Sequence, residues 1–243
     1  MRVIAIFNVK GGVGKSTLAA NLAWAAATCS ARRTLLWDLD AQGDGGYLLG
    51  IDRATGSDGT ALFARETAPE RLIVPTRFAL LDVLPADPGL RKLERFLFAL
   101  GKKARLARLT EALAERYDRI VIDCPPALGE ISAQVMRAAD AIIVPVVASP
   151  LARRGLADVR DELRRIAPRH APMLPVFALY DARRKLHREA HAEEPDWPLV
   201  PMASVVERMA VERKPVGAFA PATPAADSIR RLWSGIERKL CGP

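Results

Sequence analysis

Lys10-Gly11-Gly12-Val13-Gly14-Lys15-Ser16-Thr17 packs three glycines, two lysines and two hydroxyls into eight residues. That mixture suits the holding of a polyphosphate, because glycines let successive backbone N–H groups turn inward without Cβ clashes. Lys15 would reach the β- and γ-phosphates, Ser16 would ligate Mg²⁺ and Thr17 would bond the α-phosphate. The pattern G-x-x-x-x-G-K-[ST] fails at its first glycine, where Val9 stands, and a second lysine, Lys10, occupies the mouth of the loop. Its ammonium does not fold back easily onto its own γ-phosphate. It is placed to reach a nucleotide held by a facing subunit, as an arginine finger supplied in trans does. Three carboxylates complete the inventory. Asp123 ends the apolar run from Arg119 to Ile122 and is followed by Cys124-Pro125-Pro126, a Walker B pattern whose aspartate would hold Mg²⁺ through water. Asp38 and Asp40 end another apolar run, and residues two apart on a strand point the same way. Both would therefore face the crevice at the strand's C-terminal end, where nucleotides bind in open α/β sheets.

The elements that must position these groups are legible as alternating patterns. Apolar strand-like runs lie at Val3–Phe7, Thr34–Trp37, Ala79–Leu84, Arg119–Ile122, Ala141–Val147 and Met173–Leu179. Helical patterns fall at Ser16–Ala27, Leu90–Leu100, Ala104–Arg116, Ile131–Ala139 and Leu156–Ile166. Continuous apolar strands are expected where both faces of a sheet are covered. The fold class that follows is α/β, a doubly wound, mostly parallel sheet flanked by helices. Asp52–Pro75 carries weaker periodicity and several turn residues, and reads as a loop with a short helix. With no internal repeat and no low-complexity linker, residues 1–243 read as a single P-loop domain.

Composition narrows the function classes. The chain has 243 residues, half of them hydrophobic, enough for a substantial core. No apolar stretch approaches the length of a membrane span, and strand-like residues start at once without a signal peptide, so a cytoplasmic location is expected. Three cysteines, Cys29, Cys124 and Cys241, form no C-x-x-C pair, which argues for reduced thiols and against zinc or iron–sulfur ligation. Net charge is +8, which invites a polyanionic partner, nucleic acid or an anionic membrane. Residues 1–150 carry 19 basic against 16 acidic side chains, and residues 151–243 carry 17 against 12. The excess is concentrated in the C-terminal third.

Taken together, the octet resembles the deviant Walker A box of the ParA/MinD ATPases. In that family the first lysine of the box, here Lys10, completes the partner's site in an ATP-sandwich dimer. The segment Asp38-Leu39-Asp40-Ala41-Gln42-Gly43 resembles the family's D-x-D-P-Q-G switch, with Ala41 in place of proline. The resemblance implies that Asp40 positions the attacking water and that Asp38 lies near the magnesium ion. Ala139–Val146 is similar to the family's A-A-D-x-x-I-x-P-V strand, and Ala178–Arg183 to its T-M-Y-D-x-R segment. Val200-Pro201 and Lys214-Pro215-Val216 match its I-P … G-K-P-I frame, which makes Pro201 and Met202 candidates for adenine contact. Departures cluster at 202–213, where the family's basic P-R-N-V-R run is absent.

Arg183, Arg184, Lys185 and Arg188 form the densest basic cluster, on a predicted helix start, and Arg208, Arg213, Lys214, Arg230 and Arg231 are candidates to extend it. With no helix-turn-helix ahead of the loop, phosphate contacts without base readout are expected. Asp227–Leu240 carries a stripe of Ile229, Leu232, Trp233, Ile236 and Leu240, which suits either a core-packed helix or, as in MinD-type relatives, a membrane-surface helix. Packing is the favoured expectation. The resemblance thus implies a Mg²⁺-dependent ATPase that forms an ATP-bound homodimer. It would bind DNA non-specifically on the nucleoid and hydrolyse ATP slowly when a ParB-like protein or cargo adaptor stimulates it. The alternative is a membrane-surface ATPase that positions a division or organelle machinery.

Overall fold

In the computed structural model, which describes residues 1–52, 59–64, 68–101, 104–166 and 171–242, eight strands form one sheet. They are β1 (Arg2–Ile6), β2 (Thr34–Asp38), β3 (Val74–Pro75), β4 (Leu81–Leu84), β5 (Arg119–Asp123), β6 (Ala141–Val147), β7 (Met173–Tyr180) and β8 (Leu199–Pro201). Their order is β3-β4-β2-β5-β1-β6-β7-β8. Every pairing is parallel except that of the two-residue edge strand β3 with β4. The chain turns in opposite directions from β1, so the loop after β1 opens at the switch point where such sheets hold ligands.

The helices are α1 (Lys15–Cys29), α2 (Asp44–Tyr47), α3 (Gly59–Ala64), α4 (Leu90–Leu100), α5 (Arg105–Ala112), α6 (Glu130–Ala138), α7 (Pro150–Ile166) and α8 (Lys185–Glu193), followed by three four-residue helices, α9 (Ser204–Glu207), α10 (Met209–Glu212) and α11 (Val216–Phe219), and by α12 (Pro224–Cys241). Alternate residues of the strands feed two cores. Val3, Ala5 and Phe7 face one side with residues of α4–α7, while Ile4 and Ile6 face the other with α1 and α12. This two-sided burial explains why the strands read as unbroken apolar runs. Helix α1 is apolar on nearly every side, since it lies between the sheet and α12.

The six predicted strands are present, and the structure adds β3 and β8. Helix α7 begins at Pro150 rather than Leu156, because proline is well suited to the first helical turn. In the loop predicted for 52–75, the described part contains α3, a 3₁₀ turn (Pro69–Arg71) and β3. The rest of that span lies outside the described residues. Among the described residues no helix is long and apolar enough to cross a membrane.

Helix α12 answers the question its stripe raised. Ile229, Leu232, Trp233, Ile236 and Leu240 are all buried against the α1 side of the sheet. Trp233 donates its indole N–H to Ser30 Oγ at 2.7 Å. The Glu237 carboxylate takes Arg119 in a two-point pair at 2.7 and 2.9 Å and accepts from Arg32 at 2.9 Å. The apolar face is therefore covered by the protein itself. Arg119 is almost wholly buried, 6% exposed at its side chain, so removing its partner strands a charge. Glu237→Ala should cost about 3 kcal/mol of stability, read from urea unfolding; a loss near zero would mean that Arg119 does not depend on Glu237 for its compensation.

Candidate active site

The loop between β1 and α1 is built on left-handed backbone. Gly12 has φ +71° and Gly14 φ +87°, values that side chains resist and glycine accepts. Gly14 caps α1 and brings no side chain to bond the helix's first N–H groups, which suits that turn to an anion. Asn8, buried directly after β1, braces the loop: its Nδ2 donates to Pro145 O at 2.7 Å and its Oδ1 accepts from Lys10 N at 3.0 Å. Lys15 is buried, and its Nζ donates to Lys10 O at 3.1 Å. Burial pulls its ammonium below the usual lysine range, while Asp123 and Asp40 oppose that shift.

Beneath the loop the two strand-end carboxylates meet. In the β2–β5 ladder Asp38 stands directly beside Asp123, and both are buried, 1% and 0% exposed. Burial pushes the Asp38 carboxyl up to about 7. The neighbouring charges of Asp40 and Asp44 push the same way, against hydrogen bonds from Gly46 N at 3.0 Å and Asp40 N at 3.1 Å. Asp123 is raised further by burial and then by Asp38; Ser16 and Lys15 oppose the rise. Neither Asp123 carboxylate oxygen completes a hydrogen bond of ordinary geometry. A buried, unpartnered carboxylate beside a second one is costly as an all-protein arrangement. It fits a hard divalent cation, for which Ser16, Asp38 and Asp123 are the oxygen donors at hand.

Sequence reasoning missed the residue that makes room for this pair. A Cβ on Gly45 would stand 2.9 Å from Asp123 Oδ2 and 3.0 Å from Asp38 Oδ2, so only a bare Cα fits. The dense Gly43-Asp44-Gly45-Gly46 run was the available signal.

The other predicted residues divide. Asp40 lies close enough to Lys15 and Asp123 to act on both, and its Oδ1 accepts from Gln42 N at 3.0 Å. Lys10 lays its side chain along α7, where a Cβ on Gly155 would meet its Cε at 3.1 Å. Gly11 and Gly12 are exposed and Val13 is buried. Pro201 joins Gly14, Thr17, Asn21, Val206 and Ile229 around an apolar crevice beside the start of α1. Met202 is half exposed and lies outside that lining; Asn21 and Val206 are lining residues that the motifs did not supply. Arg183, Arg184, Lys185 and Arg188 are exposed around the turn from β7 into α8. Asp181 pairs with Arg183 at 2.9 Å, and Lys185 with Glu189 at 3.6 Å. Arg208 is exposed and paired with Glu212 across α10. Arg230 bonds Pro221 O at 2.9 Å and lies near Cys29, at the end of α1 opposite the loop, so it stands apart from the cluster at β7.

Comparison with known proteins places this geometry. The family described as an AAA domain matches residues 1–176. The chromosome partitioning protein ParA of Myxococcus xanthus is 36% identical over 199 residues, covering 79% of this chain and 70% of that protein. This chain belongs to the ParA/MinD family of P-loop ATPases. Cobyrinic acid a,c-diamide synthase from Mycobacterium smegmatis, solved with bound ADP and magnesium, superposes with a TM-score of 0.82 at 27% identity, covering 100% of this chain and 96% of that one. The cell division ATPase MinD of Pyrococcus furiosus shares the fold, with a TM-score of 0.81 at 23% identity over 98% of this chain and 99% of that one.

The buried pair has a measurable consequence for this ATPase. A carboxyl whose folded pKa lies above its unfolded value gives stability that is complete below the unfolded pKa and lost as pH rises through the folded one. For Asp38 that window runs from 3.8 to about 7, and Asp123 acts in the same direction. The nucleotide-free protein in EDTA should therefore lose stability as pH rises from about 4 to 7, and Asp123→Asn should be the more stable at pH 7 by roughly 2 kcal/mol. Calorimetry at the two pH values tests this; a less stable variant would mean that Asp123 has a partner that compensates its burial.

Proposed function

We propose that the chain is a ParA-like switch ATPase: it binds ATP with Mg²⁺, dimerises around the nucleotide, and holds DNA non-specifically until a partner stimulates hydrolysis. Its task is then to segregate or position a DNA locus or protein cargo. The observation that carries this reading is a shared edge. The loop with Lys10 and Lys15 follows β1, the carboxylates end β2 and β5, and the basic turn Arg183–Arg188 follows β7. In a parallel sheet all these strand ends lie on one side, so nucleotide and polyanion meet the same edge.

The residues divide the work. Backbone N–H groups of 11–17 and the Lys15 ammonium hold the phosphates, and the crevice at Pro201 and Val206 takes the adenine. Ser16, Asp38 and Asp123 hold Mg²⁺, which when bound neutralises phosphate charge. Asp40 orients the attacking water, a role suited to a carboxylate because phosphoryl transfer depends mainly on positioning and electrostatics. Lys10 lends its charge to the partner's nucleotide. No observation favours the membrane reading, since the apolar face of α12 is buried.

Retention on non-specific DNA tests the proposal. Binding should require ATP and Mg²⁺, be lost with ADP, and fall steeply with salt. Replacing Arg183, Arg184 and Lys185 by alanine should flatten the salt slope by about one per lost phosphate contact. Equal retention with ADP and ATP would remove the switch. Lys10→Ala should keep nucleotide binding but lose stimulated hydrolysis, about 10³-fold for a finger-type charge; Asp40→Ala should trap the DNA-bound state, and normal turnover in that variant would sink its assignment.

A further inference from the structure

Arg213 is one of four residues other than glycine with positive φ among those described, at +50°. It ends α10 in the left-handed conformation, its N–H donating to Met209 O at 2.8 Å. That position ordinarily suits glycine, and the G-K-P-I frame quoted above has its glycine directly before the lysine, where this chain has Arg213. A strained backbone persists only where its surroundings over-determine it. Here the side chain supplies that determination.

The guanidinium makes three contacts, all to one segment. It stacks over the Tyr47 ring at 4.4 Å, donates to Tyr47 O at 3.3 Å and pairs with Asp52 Oδ1 at 2.7 Å. Tyr47 closes α2, whose Gly45 lies against both Asp38 and Asp123 and whose Gly46 N–H bonds Asp38. On its other side Arg213 leads through two residues to Val216, whose N–H is bonded by Asn21 of α1 at 3.0 Å. One arginine thus joins the helix that follows the phosphate loop to the segment covering the carboxylate pair. A lysine has neither the fork nor the flat face for all three contacts.

We propose that Arg213 is a positioning residue for the divalent-cation pair: by clipping turn 47–52 to the end of α10, it keeps Gly45 and Gly46 seated on Asp38 and Asp123. It touches neither nucleotide nor metal. Its effect belongs to cation binding and not to phosphate binding. The inference rests on the reading of Asp38 and Asp123 as the Mg²⁺ site.

Arg213→Gly separates the clip from the fold, because glycine relieves the backbone while removing all three contacts. The full chain is titrated with Mg²⁺ at saturating ADP, with the thermal midpoint as readout, and ADP affinity is measured separately in EDTA. Arg213→Gly should raise the Mg²⁺ concentration for half effect about tenfold, as lost outer-sphere support does, and leave ADP affinity in EDTA within about twofold. Tyr47→Leu, which leaves residue 213 intact, should move the Mg²⁺ requirement in the same direction. In the double variant the two effects should not add. A Mg²⁺ requirement that stays at the parent value in both single variants, a parallel loss of metal-free ADP binding, or full additivity overturns the proposal. A parent protein that gives no Mg²⁺ response with ADP overturns the underlying assignment of Asp38 and Asp123, and this proposal with it.

Discussion

Two carboxylates pressed together out of water set the terms for the rest of this molecule. Asp38 and Asp123 are adjacent because β2 and β5 run parallel in register, and each is the last residue of its strand. A folded chain seldom keeps such a pair uncompensated. The partial compensation comes from Lys15, buried in the loop above them, and from Ser16 at the first turn of α1. The sheet order that places β5 between β1 and β2 is what brings loop, lysine and acids together.

The two edges of the sheet have different work. At the C-terminal edge the strands end in loops, glycines and charged groups, with bare Cα atoms where atoms must approach closely. At the opposite edge Arg32 and Arg119 converge on Glu237 of α12, and Trp233 locks to Ser30. Helix α12 thereby holds α1 against the sheet from behind. The end of α1 away from Ser16 is anchored by a helix some two hundred residues later in the chain.

Much of this was legible from spacing alone, and the exceptions have physical reasons. Loop, Asp38 and Asp123 are local patterns at strand ends, so sequence order nearly determines their geometry. Strands β3 and β8, of two and three residues, are too short to show periodicity. Helix α7 started earlier than its apolar pattern because its first turn is set by Pro150 and the pattern is interrupted at Gly155. Gly45 could not be read as a cradle, since its role exists only once two strands distant in sequence lie side by side. Arg230 was grouped with Arg183 by charge and sequence region, while the fold sends it to the far end of α1. Residue type predicts chemistry well, and it predicts neighbourhood only within an element.

If Asp38 holds the cation as proposed, its raised carboxyl makes cation capture an acid–base event. With its carboxyl titrating at about 7 in the nucleotide-free state, a sizeable fraction is protonated at neutrality, yet a metal ligand must be the anion. On the proposed assignment, each Mg²⁺ bound there would expel a fraction of a proton to solvent. The measured heat of binding will then vary with the ionisation enthalpy of the buffer, and the affinity will strengthen as the medium becomes more alkaline.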